Sequence, residues 1–94
     1  MKNELPKIDY RFTAALESNA TYNIFLTVPK SKEILGTGKT VKVGGTIDGQ
    51  PFQATLMPSG EGLHWLPLRI AIRKLIGKNQ AGEQVRVHLT ERFS

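Results

Sequence analysis

Basic side chains on two predicted helices are the residues best suited to bind a charged partner. Arg69, Arg73 and Lys74 lie on the polar side of the second helix, and Lys30 and Lys32 lie on the first. Cations spaced in this way can contact phosphates, and such contacts position a protein on nucleic acid without reading its sequence. The polar side of any amphipathic helix is usually charged. A nucleic-acid or anion-binding surface and a plain solvated face therefore both stay open.

A second candidate is a small-ligand pocket beside His64 and Trp65. These residues follow a glycine-rich loop at 60–62, and an aromatic ring next to an imidazole could line the mouth of a barrel. Packing in the core or at a strand edge explains the same residues. His88 is the other histidine, and no third ligand stands at a metal-binding spacing, so we predict no metal site.

The sequence contains no recognisable set of catalytic residues. Its acidic residues are scattered over turns and outer faces, and no pair of them is placed for burial and a shifted pKa. Residues 36–40 read Gly-Thr-Gly-Lys-Thr, but the first glycine of a phosphate-binding loop is missing and a strand follows. No base can be identified for the serines, which are Ser18, Ser31, Ser59 and Ser94. We therefore expect a protein without enzymatic activity or cofactor.

Length and composition indicate one small domain. The 94 residues include 13 Lys and Arg and 8 Asp and Glu, and the net charge of +5 permits binding to nucleic acid or another anionic partner. Cysteine is absent, which excludes disulfides and thiolate metal sites. The charged start has no apolar run after it, and no stretch approaches the length of a membrane span. We expect a cytoplasmic protein with no membrane partner.

The elements that would position these residues follow a pattern that occurs twice, at 28–43 and at 66–87. In each copy an apolar residue and a proline open a short helix, a glycine ends it, and Gly-x-x-Val-basic-Val follows. Each proline suits the first turn of a helix, where its missing N–H is not needed. In the second helix we predict one continuous apolar stripe, formed by Leu68, Ala71, Ile72, Leu75 and Ile76.

Alternating apolar residues predict strands on both sides of these helices. We expect the first two strands to form a hairpin across a turn at 17–20. Asp48-Gly49 predicts another hairpin, since a type I′ turn needs positive φ at both central residues, and Gly44-Gly45 predicts a bulge or bend. The predicted strands are 8–16, 22–28, 41–47, 52–56, 64–66 and 85–90.

Two like units, each capped by its helix, can seal one core and cover exposed strand edges. We therefore expect a closed or partly closed β-barrel over 8–90, with a pseudo-two-fold axis, an N-terminal tail of 1–7 and a C-terminal tail of 91–94. Both units lie on one chain, so a monomer is sufficient. A weak homodimer could form through Phe25 or an edge strand.

The repeated unit resembles that of swapped-hairpin transcription factors and antitoxins of the AbrB/MazE kind, in which each subunit supplies half of a double-split β-barrel. The whole chain is similar to a bacterial family of domains of unknown function in the same class, whose members are often beside or fused to a YdeI/OmpD-associated helical domain. The resemblance implies a mainly β fold, a small double-split (pseudo-two-fold) β-barrel capped by two short helices. The segments that carry it are 12–14, 25–30, 43–46, 52–58, 66–69, 72–74 and 82–87.

The resemblance implies little about activity, because the family has no agreed function and a fold does not specify one. We expect a non-enzymatic binding or interaction module, with nucleic acid bound through the basic helix face. The alternatives are a small-ligand-binding domain and an accessory domain that acts beside a protein partner.

Overall fold

The computed structural model describes residues 8–94, and the expected tail of 1–7 lies outside this range. Seven strands and two short helices make up the fold, so the mainly β prediction is confirmed. In chain order they are β1 (Tyr10–Ala15), β2 (Glu17–Asn19), β3 (Asn23–Val28), α1 (Ser31–Leu35), β4 (Val41–Ile47), β5 (Gln50–Pro58), β6 (His64–Pro67), α2 (Ile70–Ile76) and β7 (Gln84–Arg92).

The strands form one antiparallel sheet in the order β1-β7-β4-β5-β6-β3-β2. The first and last strands of this order, β1 and β2, are separated in the chain by Leu16 alone. The sheet must therefore curl until its two ends meet, which gives a barrel-like shape with one inner face. Apolar side chains fill that interior, and the fully buried ones include Leu26, Val43, Ile47, Leu56, Leu66 and Leu89.

The prediction of a turn at 17–20 is wrong for the first three of these residues. Glu17–Asn19 form β2 and pair with β3. β1 pairs with β7 and not with β3, so the predicted hairpin between the first two strands is also wrong. The chain turns just after them, where the N–H of Tyr22 donates to Asn19 Oδ1 at 2.7 Å and Asn23 has a φ of 68°. All three β2 residues are exposed, so this strand has no buried face to give a period of two.

Pro29 and Pro67 were predicted to lie in the first turn of a helix, and this prediction is wrong for both. Pro67 is the last residue of β6, opposite Phe25 of β3, and α2 begins only at Ile70. Pro29 is followed by Lys30, the N-cap of α1, in a left-handed conformation with φ 54°. Both helices are therefore shorter than the sequence pattern indicated.

The predicted apolar stripe of α2 is only partly buried. Ile72 packs into the core and Ile76 packs against it, whereas Ala71 is exposed and Leu75 keeps 57% of its surface accessible. Leu68 is buried, but it precedes the helix. A helix of seven residues reaches the core with only part of its predicted face.

The glycine predictions at β4 and its turn are confirmed. Asp48 and Gly49 have φ of 48° and 79°, as a type I′ hairpin requires. The pairing of β4 with β7 shifts register between Gly44 and Gly45, and a Cβ on Gly45 would lie 1.9 Å from the carbonyl oxygen of His88. The bulge therefore depends on glycine because two backbones touch there.

The last strand runs further than the sequence pattern indicated. β7 continues to Arg92, and the following Phe93 N–H donates to the carbonyl of Lys42 at 2.8 Å. The backbone N–H of Lys42 in turn donates to the hydroxyl of Ser94 at 2.8 Å. The segment 91–94 is thus attached to β4.

Candidate functional site

His64 lies in the interior of the barrel-like sheet and does not face an open pocket. The side chain has no accessible surface. Its Nε2 lies 2.8 Å from the carbonyl oxygen of Lys39, and its Nδ1 lies 2.8 Å from Ser31 Oγ. Because a carbonyl can only accept, Nε2 carries the hydrogen, and in the neutral imidazole Nδ1 then accepts from the Ser31 hydroxyl. His64 thereby ties α1 and the loop before β4 to β6.

This arrangement also supplies the partner that sequence analysis could not find for Ser31. A hydroxyl donating to an imidazole, whose other nitrogen is oriented by an acceptor, is the order of groups in serine hydrolases. Here both Ser31 and His64 are fully buried, so a substrate cannot reach the hydroxyl. The contacts serve to join elements of the fold.

Trp65 projects to the opposite side of β6 from His64, because successive side chains of a strand alternate. Its ring packs edge-on against Tyr22, with centroids 5.6 Å apart, and lies 5.5 Å from the ring of Phe25. These three residues form an outer aromatic cluster, and Phe25 keeps only 5% of its surface accessible. His64 and Trp65 therefore do not share a pocket.

The predicted basic residues are divided between two places. Lys30 and Lys32 are exposed at α1, where the Lys32 side chain lies near Gly62. Arg69, the N-cap of α2, and Lys74 are exposed. Arg73 is half-buried.

Arg73 is also occupied by its own neighbourhood. Its Nε donates to the Leu68 carbonyl at 3.1 Å, and one terminal nitrogen donates to Asn79 Oδ1 at 2.6 Å. These bonds hold the chain on both sides of α2. The five predicted cations are therefore not equivalent, and Arg73 has a structural role.

Arg69 borders a groove that crosses the outer face of β5. Two adjoining depressions, of about 340 and 240 Å³, share Ala54, Thr55 and Arg69. We call them together the β5 groove. One end is lined by Lys42, Val43, Gln53 and Phe93, and the other by Tyr22, Met57 and Pro67.

The β5 groove combines cations with aromatic rings. Lys42 stands opposite Thr55 across the β4–β5 pair, and among residues 8–94 neither Lys42 nor Arg69 forms an ion pair. Phe93 is 45% exposed, and its ring lies against the backbone of Gly44. Sequence analysis did not name Lys42, Phe93 or Tyr22 as binding residues, since it considered only the cations on the two helices.

Asp48 connects the β4–β5 turn to the end of α2 and to β7. Its carboxylate lies 2.6 Å from Lys78 Nζ and accepts the backbone N–H of Arg86 at 2.8 Å. Burial alone would raise the pKa of Asp48, but the bonds from Lys78 and Arg86 outweigh it and hold the pKa below its ordinary value.

The described part of the chain lacks both a cluster of metal ligands and a helix able to cross a membrane. In residues 8–94, no three His, Asp or Glu side chains are grouped so that they could hold a metal ion. The helices within the same range are too short and too polar to cross a membrane.

Comparison with known proteins gives one finding. A family model described as "Domain of unknown function (DUF1905)" matches residues 12–89. Comparison with curated proteins finds no match.

Proposed function

Because the chain belongs to the DUF1905 family, whose function is unknown, we propose from its geometry that it is a non-enzymatic module that binds single-stranded nucleic acid in the β5 groove. One observation carries the proposal. Arg69 stands in the middle of a groove with an aromatic ring near each end, Tyr22 on one side and Phe93 on the other.

This arrangement fits the chemistry of a single strand. Proteins that bind single strands without sequence preference combine a basic groove with rings on which bases stack. Arg69 and Lys42 supply the cations, and the exposed ring of Phe93 supplies a stacking surface. The net charge of +5 favours the approach of a polyanion.

The groove offers as many free cations as the face of α2 does, and it adds aromatic rings. Arg73 is bonded to Leu68 and Asn79, and Lys30 and Lys32 belong to a different helix. A duplex docked on α2 would have Lys74 and Arg69 as its free cations. A strand in the groove uses Arg69 together with Lys42.

The absence of enzymatic activity is part of the proposal. The hydroxyl–imidazole pair of Ser31 and His64 is closed to solvent, and its hydrogen bonds are all used within the fold. The β5 groove itself, as lined, contains no acidic side chain or histidine. Its chemistry is suited to binding.

We also propose that the barrel-like sheet is a double-split barrel with a pseudo-two-fold axis. Equivalent strands of the two repeats pair with each other, β3 with β6 and β4 with β7. β5 pairs first with β4 and then with β6, while β1 and β2 together pair with β7 and then β3. An experimental structure in which 22–43 and 64–87 are not related by a rotation near 180° would contradict this class.

Binding is tested by fluorescence anisotropy with a labelled single-stranded oligonucleotide and the matching duplex. Two phosphate contacts give a logarithmic salt slope of about −1.4, so affinity for the single strand falls about sevenfold between 50 and 200 mM salt. Arg69→Gln and Lys42→Gln should each reduce the slope by about 0.7. Phe93→Ala should weaken binding without changing the slope.

Lys39→Gln is the matched control, because Lys39 is exposed and lies outside the residues that line the groove. It should bind as the wild type does. No binding at 50 mM salt, or equal losses in Lys39→Gln and Arg69→Gln, would overturn the proposal. Tighter binding to the duplex would favour the helix face instead.

A further inference from the structure

A separate depression of about 460 Å³ lies on the outer face of β1, β7 and β4. Its polar lining comes from Arg11 and Thr13 of β1, Arg86 and His88 of β7, and Thr46 of β4. Gly49 of the β4–β5 turn borders it. We call it the β7 basin.

The register of the sheet brings these side chains into two rows. Arg11 stands opposite His88, which stands opposite Thr46 on its other side. In the next row, Thr13 stands opposite Arg86. Arg11 and Arg86 are therefore diagonal neighbours, whose backbones are about 7–8 Å apart. Two long guanidinium groups at that spacing can reach one common ligand.

The acidic residues nearest to the basin are already engaged. Asp9 Oδ1 lies 2.6 Å from His88 Nε2, and this contact, with a smaller effect of the Arg11 charge, holds the pKa of Asp9 below its ordinary value. Asp48 is paired with Lys78 at 2.6 Å. Among the described residues, neither Arg11 nor Arg86 forms an ion pair.

Arg11 and Arg86 are like charges at close range on one face of the sheet, and the carboxylates of Asp9 and Asp48 attract them without forming an ion pair with either. An anion between the two arginines would remove their mutual repulsion and would be bound by both guanidinium groups. Arginine matches the geometry of phosphate because its planar fork can donate two parallel hydrogen bonds. The hydroxyls of Thr13 and Thr46 add donors without charge.

We propose that the β7 basin binds a phosphate monoester group, with Arg11 and Arg86 as its main ligands. The site is distinct from the β5 groove, with which it shares no lining residue. The group could belong to a small phosphorylated molecule or to the terminal phosphate of an oligonucleotide. Both sources present the same dianion to the two arginines.

The proposal is tested by titrating ¹⁵N-labelled protein with phenyl phosphate and following its amide spectrum, with sodium chloride at equal ionic strength as the reference. Shifts should be confined to residues 11–13, 46–49 and 86–88. Arg11→Gln and Arg86→Gln should each weaken binding at least tenfold. Arg69→Gln, which changes the β5 groove only, should bind phenyl phosphate as the wild type does.

Two arms distinguish the sources of the phosphate. A 5′-phosphorylated oligonucleotide that binds more tightly than its unphosphorylated form, with the difference lost in Arg11→Gln, identifies a nucleic-acid end. Equal binding of the two oligonucleotides, with phenyl phosphate still bound, identifies a small molecule. Shifts spread over all basic surfaces, or unchanged affinity in folded Arg11→Gln and Arg86→Gln, would overturn the site.

Discussion

Asp48 shows how one side chain can join three parts of this domain. Its backbone forms the β4–β5 turn, while its carboxylate holds Lys78 beyond α2 and the amide of Arg86 in β7. The carboxylate is only partly exposed, so water screens its bonds less than those of an ion pair on the open surface. Asp48 should therefore contribute measurably to stability.

Asp48→Asn removes this charge with little change of shape. At pH 7 we expect the free energy of unfolding to fall by about 1 kcal/mol, since bonds to a charged group are lost. The pKa of Asp48 is lowered in the folded state, so its contribution is complete above the ordinary value of 3.8 and disappears as the pH falls through the folded pKa. The variant should therefore lose less stability than the wild type when the pH is lowered below about 4.

Urea unfolding between pH 7 and pH 2 measures this difference. Glu61→Gln is the control, because Glu61 is exposed and forms no ion pair within residues 8–94. Parallel pH curves for Asp48→Asn and the wild type would refute the assignment.

At the residue scale, the sequence predicted which face of a strand a side chain occupies better than it predicted which side chains form a site. Alternation along 64–66 already implied that His64 and Trp65 point to opposite sides, and the burial of Leu66 places His64 inside. Alternation also places Lys42 on the outer face, where it stands opposite Thr55 in the β4–β5 pair. Phe93 gave no such signal, because it reaches the groove only through the attachment of the chain end to β4, which no local pattern encodes.

At the element scale, the β4 bulge requires a residue without a side chain at Gly45. Gly45→Ala would place a methyl group 1.9 Å from the carbonyl oxygen of His88, within the backbone of a neighbouring strand. The strands would have to separate, and we expect a loss of about 3 kcal/mol in the free energy of unfolding.

Gly38→Ala provides the matched comparison. Among the described residues, no atom beyond its chain neighbours lies within 4 Å of a Cβ placed there, and its φ is outside the left-handed region. Its stability should stay within about 0.5 kcal/mol of the wild type. Equal denaturation midpoints for the two variants would show that β4 and β7 can separate freely.

Element boundaries were harder to predict than element types. Proline fits both a strand end and a first helical turn, and the pairing of Pro67 with Phe25 decided in favour of the strand. β2 escaped prediction because both its faces are exposed. The Asp48-Gly49 turn was predicted correctly because few residue pairs accept positive φ at both positions.

At the scale of the whole molecule, Leu16 is the point where the two ends of the sheet meet. It is 2% exposed, its N–H donates to the Glu83 carbonyl, and its own carbonyl accepts the N–H of Gly82, both at 2.8 Å. Leu16→Ala should lower the free energy of unfolding by about 3 kcal/mol through the cavity it leaves.

Leu75→Ala deletes the same atoms at a position that is 57% exposed and should cost under about 0.5 kcal/mol. Urea denaturation followed by fluorescence and circular dichroism measures both changes. A similar small loss for both variants would mean that the seam of the sheet contributes little to holding it together.

The strand order was the feature that the sequence could not supply. Alternation tells which side of a strand faces the core, but β1-β7-β4 joins strands from the beginning, end and middle of the chain. The repeat suggested two like units, and the pairing of β3 with β6 and of β4 with β7 agrees with that idea.

The position of β7 between β1 and β4 affects how the domain is made in the cell. On a translating ribosome, β1 emerges early, but the strand that covers it ends at Arg92. Until β7 has left the exit tunnel, β1 and β4 both lack their pairing with it, and the apolar side chains of the interior remain exposed to solvent. The native sheet therefore cannot form while the chain is still being extended. The domain reaches its native structure only after β7 has been synthesised and has left the tunnel.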